Sequence, residues 1–241
     1  MKLTAYQEAL IDSSFQLVNV DSSNIPDSGL GSGCLFEHHG RKILLTVAHI
    51  KKKNRTLIAQ IRFEPSNGTL VIPLNNPIPG GLIHASKRLR KEAKDFCYLE
   101  VPPTLEPYNQ IIRDYDSAIL KEMPVTIFEL SEIQPPDKNV SYGFCGRVDP
   151  NLAYHFGTPY FETTRTPYQG LTYIGEDDGL FVFQLPMQHP GHEAFKGCSG
   201  TPIIGEDSSV VALVQGGDEN SDLIYGIPLI KYKSKLQIEF G

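Results

Sequence analysis

Residues 195–204, "FKGCSGTPII", place two nucleophilic side chains next to each other, Cys198 and Ser199, between Gly197 and Gly200. Glycine lets the backbone bend so that successive N–H groups point to one spot. Converging N–H groups are what acyl-transfer chemistry needs to stabilise an oxyanion. An apolar run follows the second glycine almost at once. The stretch therefore predicts a nucleophile on a tight turn that leads into a buried strand.

Two other segments supply groups that could activate such a nucleophile. A nucleophilic serine or cysteine needs a histidine to take its proton and an acid to orient that histidine. The apolar segment "ILLTVAHI" at 43–50 places His49 at its end, and "RDYDSAIL" at 113–120 places Asp116 just before an apolar run. We expect His49 at a strand terminus and Asp116 at the mouth of a buried strand, with nearby Asp114 as a rival acid.

The rest of the chain predicts an antiparallel all-β protein. Its 21 glycines and 18 prolines are typical of a chain with many turns. Runs of strand length, rich in β-branched and aromatic residues, recur between turn signals, without βαβ alternation or a fixed repeat. Asn67-Gly68 and Gly40 predict hairpin turns, and residues 4–11 predict a short opening helix. A proline-rich segment at 132–139 lies near the join between two β halves.

In their order along the chain, the three segments resemble the chymotrypsin/trypsin-like serine protease family. The T-x-A-H segment of that family is matched by residues 46–49, its D-x-A-L-L-like segment by residues 116–120, and its G-x-S-G-x-P segment by residues 197–202. The order of histidine, acid and serine is also that of chymotrypsin, not that of subtilisins or α/β-hydrolases.

This resemblance implies a fold and an activity. The implied fold is two antiparallel six-stranded β-barrels with the active site in the cleft between them. Residues 1–123 would form the first barrel with His49 and Asp116, and residues 124–241 the second barrel with Ser199 and the specificity pocket. The implied activity is hydrolysis of peptide bonds in a protein or peptide substrate through an acyl-enzyme. We expect neither a metal nor an organic cofactor.

The position of the following glycine favours Ser199 over Cys198 as the nucleophile. In the family motif the attacking residue directly precedes glycine, which holds for Ser199 and not for Cys198. The oxyanion hole would then use the N–H groups of Gly197 and Ser199. In digestive and clotting members, the position of Cys198 carries an aspartate that pairs with a new amino terminus. In lacking this aspartate, the chain resembles bacterial-type members of the family.

The resemblance also suggests residues that bind substrate. Glu193 occupies the position where a carboxylate in trypsin-like enzymes selects lysine or arginine. Alternatively, His189 and His192 would make the pocket favour acidic side chains. One further segment is expected to pair with the substrate backbone as an added strand: Gln215, Gly216 and Gly217.

Composition limits the partners and the compartment. The net charge of −6 argues against a nucleic-acid footprint, which is normally basic. The N-terminal residues lack the apolar core of a secretory signal, and no apolar run approaches the length that spans a bilayer. The 4 cysteines are scattered without metal-site spacing. These features favour a cytoplasmic protein with free thiols and no membrane partner.

Two alternatives concern regulation and catalysis. A cytoplasmic protease without a pro-segment has to be restrained, so we expect either narrow specificity or a regulatory partner protein. The other class of function is a catalytically inactive trypsin-like fold that acts as a protein-binding module.

Overall fold

The computed structural model describes residues 3–23, 26–64, 68–74, 78–79, 95–101, 108–113, 120–155 and 158–241. In these ranges β-strands dominate, as the all-β prediction requires, together with helices α1 (Ala5–Asp12) and α2 (Ile230–Phe240). Helix α1 confirms the predicted opening helix, and a capping box between Thr4 and Gln7 starts it. Helix α2 was not predicted.

The strands of the first half form a curled sheet and a small ribbon. In chain order they are β1 (Phe15–Val20), β2 (Pro26–His38), β3 (Arg41–Val47), β4 (Thr56–Glu64), β5 (Gly68–Leu74), β6 (Ile78–Pro79), β7 (Phe96–Val101), β8 (Tyr108–Arg113), β9 (Leu120–Pro124) and β10 (Ile127–Glu129). Seven pair in the order β5-β4-β1-β2-β3-β7-β6, β10 joins β2 in parallel, and β8 pairs with β9 separately. This eight-stranded sheet corresponds to the first barrel of the predicted fold, for which six strands were expected.

The second half forms a closed six-stranded barrel, which confirms that part of the prediction. Its strands are β11 (Ser141–His155), β12 (Thr158–Asp177), β13 (Leu180–Gln184), β14 (Pro202–Gly205), β15 (Val210–Asp218) and β16 (Leu223–Pro228). They close in the order β11-β12-β13-β16-β15-β14. One apolar cluster fills this barrel, and a second fills the curled sheet and extends to the barrel's outer residues.

Each helix packs against the half of the molecule that is distant from it in sequence. Helix α1 contacts the closed barrel, where the hydroxyl of Tyr6 donates a hydrogen bond to the carbonyl of Ile204 at 2.7 Å. Helix α2 returns to the first sheet, where the ring of Tyr232 stacks on Phe96 with centroids 4.0 Å apart. Strand β10 also pairs with the first sheet. The domain boundary between residues 123 and 124 stays a prediction.

The turn predictions can be compared with the strand pairing. His38 pairs with Arg41, and His39 and Gly40 between them have φ of 50° and 77°, which confirms the tight turn at Gly40. Strands β4 and β5 form the expected antiparallel pair, while Asn67 lies outside the described residues. In the part of the chain that the structure describes, no helix combines the length and the apolar character needed to cross a bilayer.

Candidate active site

His49 lies in a short 3₁₀ turn, Ala48–Ile50, that directly follows β3. The side chains of the last five residues of β3 are buried, so the strand is anchored in the first core up to the turn. Ile50 is also buried and its carbonyl accepts a hydrogen bond from Asn19 Nδ2 at 2.6 Å. The His49 side chain is 45% exposed. The turn therefore presents an accessible imidazole on a fixed backbone.

Asp95 holds His49 with both carboxylate oxygens, one at the imidazole and one at the backbone N–H. Its Oδ2 lies 2.5 Å from His49 Nδ1, and its Oδ1 accepts the backbone N–H of His49 at 2.7 Å. Its carbonyl also accepts the N–H of Ala48 at 2.6 Å. A carboxylate at Nδ1 fixes the tautomer in which Nε2 is free to accept a proton. Asp95 is thus the carboxylate that orients the His49 ring in this structure.

The strand register explains why Asp95 lies there. Strand β7 pairs antiparallel with β3, and Phe96 faces Val47. Continuing this register by one residue brings Asp95 opposite Ala48, next to His49. Asp95 itself has φ of 63°, a left-handed conformation that aspartate tolerates better than most residues.

The acid expected from the sequence was Asp116, with Asp114 as the rival. Both lie outside the described residues. Sequence analysis missed Asp95, although Asp95 directly precedes the apolar strand "FCYLEV" just as Asp116 precedes an apolar run. An aspartate directly before an apolar run was therefore the pattern by which the sequence could have indicated Asp95. The pairing of β7 with β3 was the additional information needed to place Asp95 beside His49.

The turn that carries Ser199 is fixed by its own backbone. Gly197 and Gly200 have φ of 99° and 89°, in the left-handed region that favours glycine. The N–H of Cys198 donates to the carbonyl of Phe195 at 3.0 Å, and the N–H of Gly200 donates to the carbonyl of Val214 at 2.8 Å. A Cβ on Gly200 would collide with the carbonyl of Ser32. Both predicted glycine positions therefore require glycine.

The two candidate nucleophiles point in different directions. Cys198 is 1% exposed and packs in the apolar core of the closed barrel. Burial raises the pKa of its thiol well above the usual range, so the reactive thiolate is disfavoured. Ser199 is only half-buried. The side chain that remains accessible on this turn is the serine hydroxyl.

A set of hydrogen bonds, here called the Ser32 junction, joins the serine turn to the histidine segment. The N–H of Ser32 donates to the carbonyl of Ser199 at 2.8 Å, and its hydroxyl donates to the carbonyl of Gly197 at 2.8 Å. The Thr46 hydroxyl in turn donates to the Ser32 carbonyl at 2.7 Å. Ser32 and Thr46 are fully buried. Because Thr46 lies in β3, three residues before His49, the junction couples the two halves at the site.

Two backbone amides in this turn are available for a ligand. Among the described residues, no group accepts a hydrogen bond from the N–H of Gly197 or of Ser199. These are the two amides predicted to form the oxyanion hole. Among the described residues, the Ser199 hydroxyl and the His49 imidazole are not hydrogen-bonded to each other. The Ser32 junction thus joins the serine turn to the histidine segment, while Ser199 and His49 make no direct hydrogen bond.

The predicted substrate-binding strand is an open edge. Strand β15 pairs with β14 only as far as Leu213, while Gly216 and Gly217 pair with β16 on the other side. Within the described residues, no strand pairs with the remaining edge beyond Val214. Gln215 lies at a bulge in this segment. An extended peptide could add to that edge by backbone hydrogen bonds.

The other predicted pocket residues precede the serine turn. Glu193 begins a short 3₁₀ turn, Glu193–Phe195, and its side chain lies outside the described residues. His189 is buried, and His192 is exposed. The backbone N–H of His192 donates to the Glu219 carboxylate in the turn between β15 and β16.

No family model matches the sequence, and no curated protein matches it. Solved structures do match. The chain is similar to the serine endoprotease from Yersinia pestis, with 15% identity, coverage of 99% of this chain and 69% of that chain, and a TM-score of 0.55. It is similar to neuropsin, a serine protease expressed in the limbic system of mouse brain, with 11% identity, 96% coverage of both chains and a TM-score of 0.55.

A third similar structure is a mutant of the tobacco etch virus protease, with 13% identity, coverage of 98% of this chain and 81% of that chain, and a TM-score of 0.53. At such identities the likeness concerns the fold. The chain has the two-barrel chymotrypsin/trypsin-like fold of serine proteases, as the sequence resemblance predicted.

Proposed function

We propose that this chain is a serine endopeptidase. Ser199 attacks the scissile carbonyl, and His49 first takes the serine proton and then donates it to the leaving amine. Asp95 holds the tautomer of His49, which assigns to Asp95 the role expected for Asp116. The N–H groups of Gly197 and Ser199 stabilise the oxyanion. The substrate is a protein or peptide, and the mechanism uses no metal.

The Ser32 junction is the observation that carries this proposal. A triad requires side chains from two distant segments to be held within hydrogen-bond reach. Ser32 bonds to the carbonyls of Ser199 and Gly197 and accepts from Thr46, so it links the serine turn to the strand that ends at His49. A buried, backbone-based connection of this kind supports a positioned catalytic pair more strongly than the sequence motifs alone.

A fluorophosphonate probe, which modifies an activated serine, tests the nucleophile. The native chain should be labelled, Ser199→Ala should lose labelling completely, and the neighbouring Cys198→Ala should retain it. His49→Ala should fall to a small fraction of native labelling, since the base is lost. Persistent labelling of Ser199→Ala that disappears in Cys198→Ala would overturn the assignment.

A binding module on the same fold is the second candidate function. The observation that favours it is the missing hydrogen bond between the Ser199 hydroxyl and His49. Catalytic hydrogen bonds are often long in substrate-free enzymes and tighten in the complex, so the protease is preferred. A natively folded chain that is not labelled at Ser199 would support the binding module. The cytoplasmic location and the regulatory partner stay predictions.

A further inference from the structure

Two arginines that the proposed chemistry does not use face each other across strands β11 and β12. Arg147 pairs directly with Arg165 in the antiparallel register, so both side chains project from the same face of the sheet. Arg147 is 7% exposed and Arg165 is half-buried. Like charges directly opposite each other in a sheet are destabilising, and they repel more strongly away from water. An anion bound beside this pair would therefore stabilise it.

The surroundings of the pair oppose two positive charges. Burial, and then the charge of Arg165, lower the pKa of Arg147 to about 9. Burial also lowers the pKa of Arg165, while the neighbouring Cys145 and the Asp12 carboxylate act in the opposite direction. The Asp12 carboxylate thus offsets part of the cost at Arg165. A further negative group would lower the cost for both guanidinium groups.

Two polar residues at the start of β1 contact the same part of the barrel. Ser14 directly precedes β1, and its carbonyl accepts a hydrogen bond from Arg147 Nη2 at 2.9 Å. Gln16 lies in β1, and its Oε1 accepts a hydrogen bond from the Thr163 hydroxyl at 3.3 Å. Thr163 lies in β12, two residues before Arg165. These contacts bring Ser14 and Gln16 to the arginine pair.

Each of these two side chains has a buried polar atom without a partner. Ser14 is 1% exposed and Gln16 is 3% exposed. Within the described residues, neither Ser14 Oγ nor Gln16 Nε2 makes a hydrogen bond. A hydroxyl and an amide NH₂ can both donate, and a buried donor without an acceptor is unfavourable. Two such donors beside two guanidinium groups indicate an acceptor that is not part of the chain.

We propose that these four side chains bind a small tetrahedral oxyanion, namely free phosphate: Ser14, Gln16, Arg147 and Arg165. Guanidinium groups bind phosphate oxygens through charge-assisted hydrogen bonds. The hydroxyl and amide donors would bind the remaining oxygens. A phosphate carries up to two negative charges, which matches two arginines better than the single charge of a carboxylate. The ligand has to be small, because three of the four residues are almost fully buried.

The site lies behind the serine turn and joins the two halves of the molecule. The side chain of Arg147 reaches the carbonyl of Ser14, while its own carbonyl lies against Gly197, where a Cβ would collide with it. A bound oxyanion would therefore link the first strand to the strand that supports the serine turn. A ligand that binds only the native state stabilises it against unfolding. Phosphate should raise the thermal stability of this chain whether or not the chain cleaves peptides.

Isothermal titration calorimetry with inorganic phosphate tests the site, with sodium chloride holding the ionic strength constant. Arg165→Gln should weaken phosphate binding by about tenfold or more, the size expected for the loss of one charge-assisted hydrogen bond. Arg41→Gln removes an exposed arginine of β3 and is the matched control, which should bind phosphate as the native chain does. Absence of binding to the native chain, or equal binding by Arg165→Gln, would overturn the proposal.

Other anions test the class of ligand. Sulfate is also tetrahedral and doubly charged and should compete with phosphate, whereas acetate should bind about tenfold more weakly or less. Acetate that binds as tightly as phosphate would overturn the assignment to a tetrahedral oxyanion. Glycerol 3-phosphate separates free phosphate from a phosphate monoester and should bind more weakly, because the buried site excludes its substituent. Tighter binding of the monoester would overturn the assignment to the free anion.

A second measurement uses the native chain and does not depend on the folding of a variant. In ¹⁵N-arginine-labelled protein, phosphate should shift the Nε resonances of Arg147 and Arg165 and leave that of Arg41 unchanged. The Tm should rise over the same range of phosphate concentration. Phosphate that binds and leaves the Arg147 and Arg165 resonances unchanged would overturn the proposal.

Discussion

The side chains of His49 and His189 are bonded in opposite ways. His49 is 45% exposed and has a carboxylate at Nδ1. His189 is 8% exposed and has a backbone N–H at the same nitrogen. The carboxylate accepts the proton on Nδ1 and so leaves a lone pair on Nε2 of His49, which can act as a base. The N–H group instead requires a lone pair on Nδ1 and so makes Nε2 of His189 a donor.

This difference shows that the partner of one ring nitrogen determines the chemistry of the other. The same side chain is suited to proton transfer in one place and to recognition of an acceptor in the other. The two side chains also differ in exposure, since a base has to reach the reacting atoms and His49 is the more exposed of the two. Each partner can be changed separately.

Asp95→Asn should have the largest effect. An amide in place of the carboxylate no longer stabilises the imidazolium and can hold the wrong tautomer, so kcat should fall by about 10⁴-fold, as for removal of a triad acid in general. Asp116→Asn is the matched control and should leave kcat nearly unchanged. Steady-state kinetics with one peptide substrate measure both. A larger loss for Asp116→Asn would restore the assignment expected from the sequence.

Thr46→Val should have a smaller effect, on stability, because it weakens the Ser32 junction near His49. It removes the hydroxyl that donates to the Ser32 carbonyl at 2.7 Å in a fully buried position. The free energy of unfolding should fall by about 1–3 kcal/mol, the cost of losing a buried hydrogen bond. Denaturant titration measures it, with exposed Thr172→Val as the control, expected within about 0.5 kcal/mol of native. A loss of stability no larger than that of Thr172→Val would contradict the structural role of this hydrogen bond.

The parts of the site that depend on local sequence could be predicted. The glycines around Ser199 specify a turn through their own backbone conformations, and His49 follows directly from the end of β3. The contact of Asp95 with His49 could not be predicted because it depends on the register of β7 against β3, which joins distant segments. Local patterns place an aspartate before both apolar runs and do not distinguish them.

Two other features depend on tertiary contacts. Helix α2 has only two fully buried side chains, Leu236 and Phe240, so its sequence carries a weak helical pattern. Its position is stabilised by packing on the first sheet, including Tyr232 on Phe96. For His189, the sequence shows a histidine near the serine turn, but only the Gly191 N–H at Nδ1 reveals that Nε2 is a donor.

The buried thiol of Cys198 has a consequence for chemical inhibition. A cysteine next to the proposed nucleophile is an obvious attachment point for electrophiles directed at Ser199. Its side chain, however, lies in the apolar core of the closed barrel, and burial raises the pKa of its thiol well above the usual range. Thiol-directed compounds are therefore expected to react poorly with Cys198 in the folded protein.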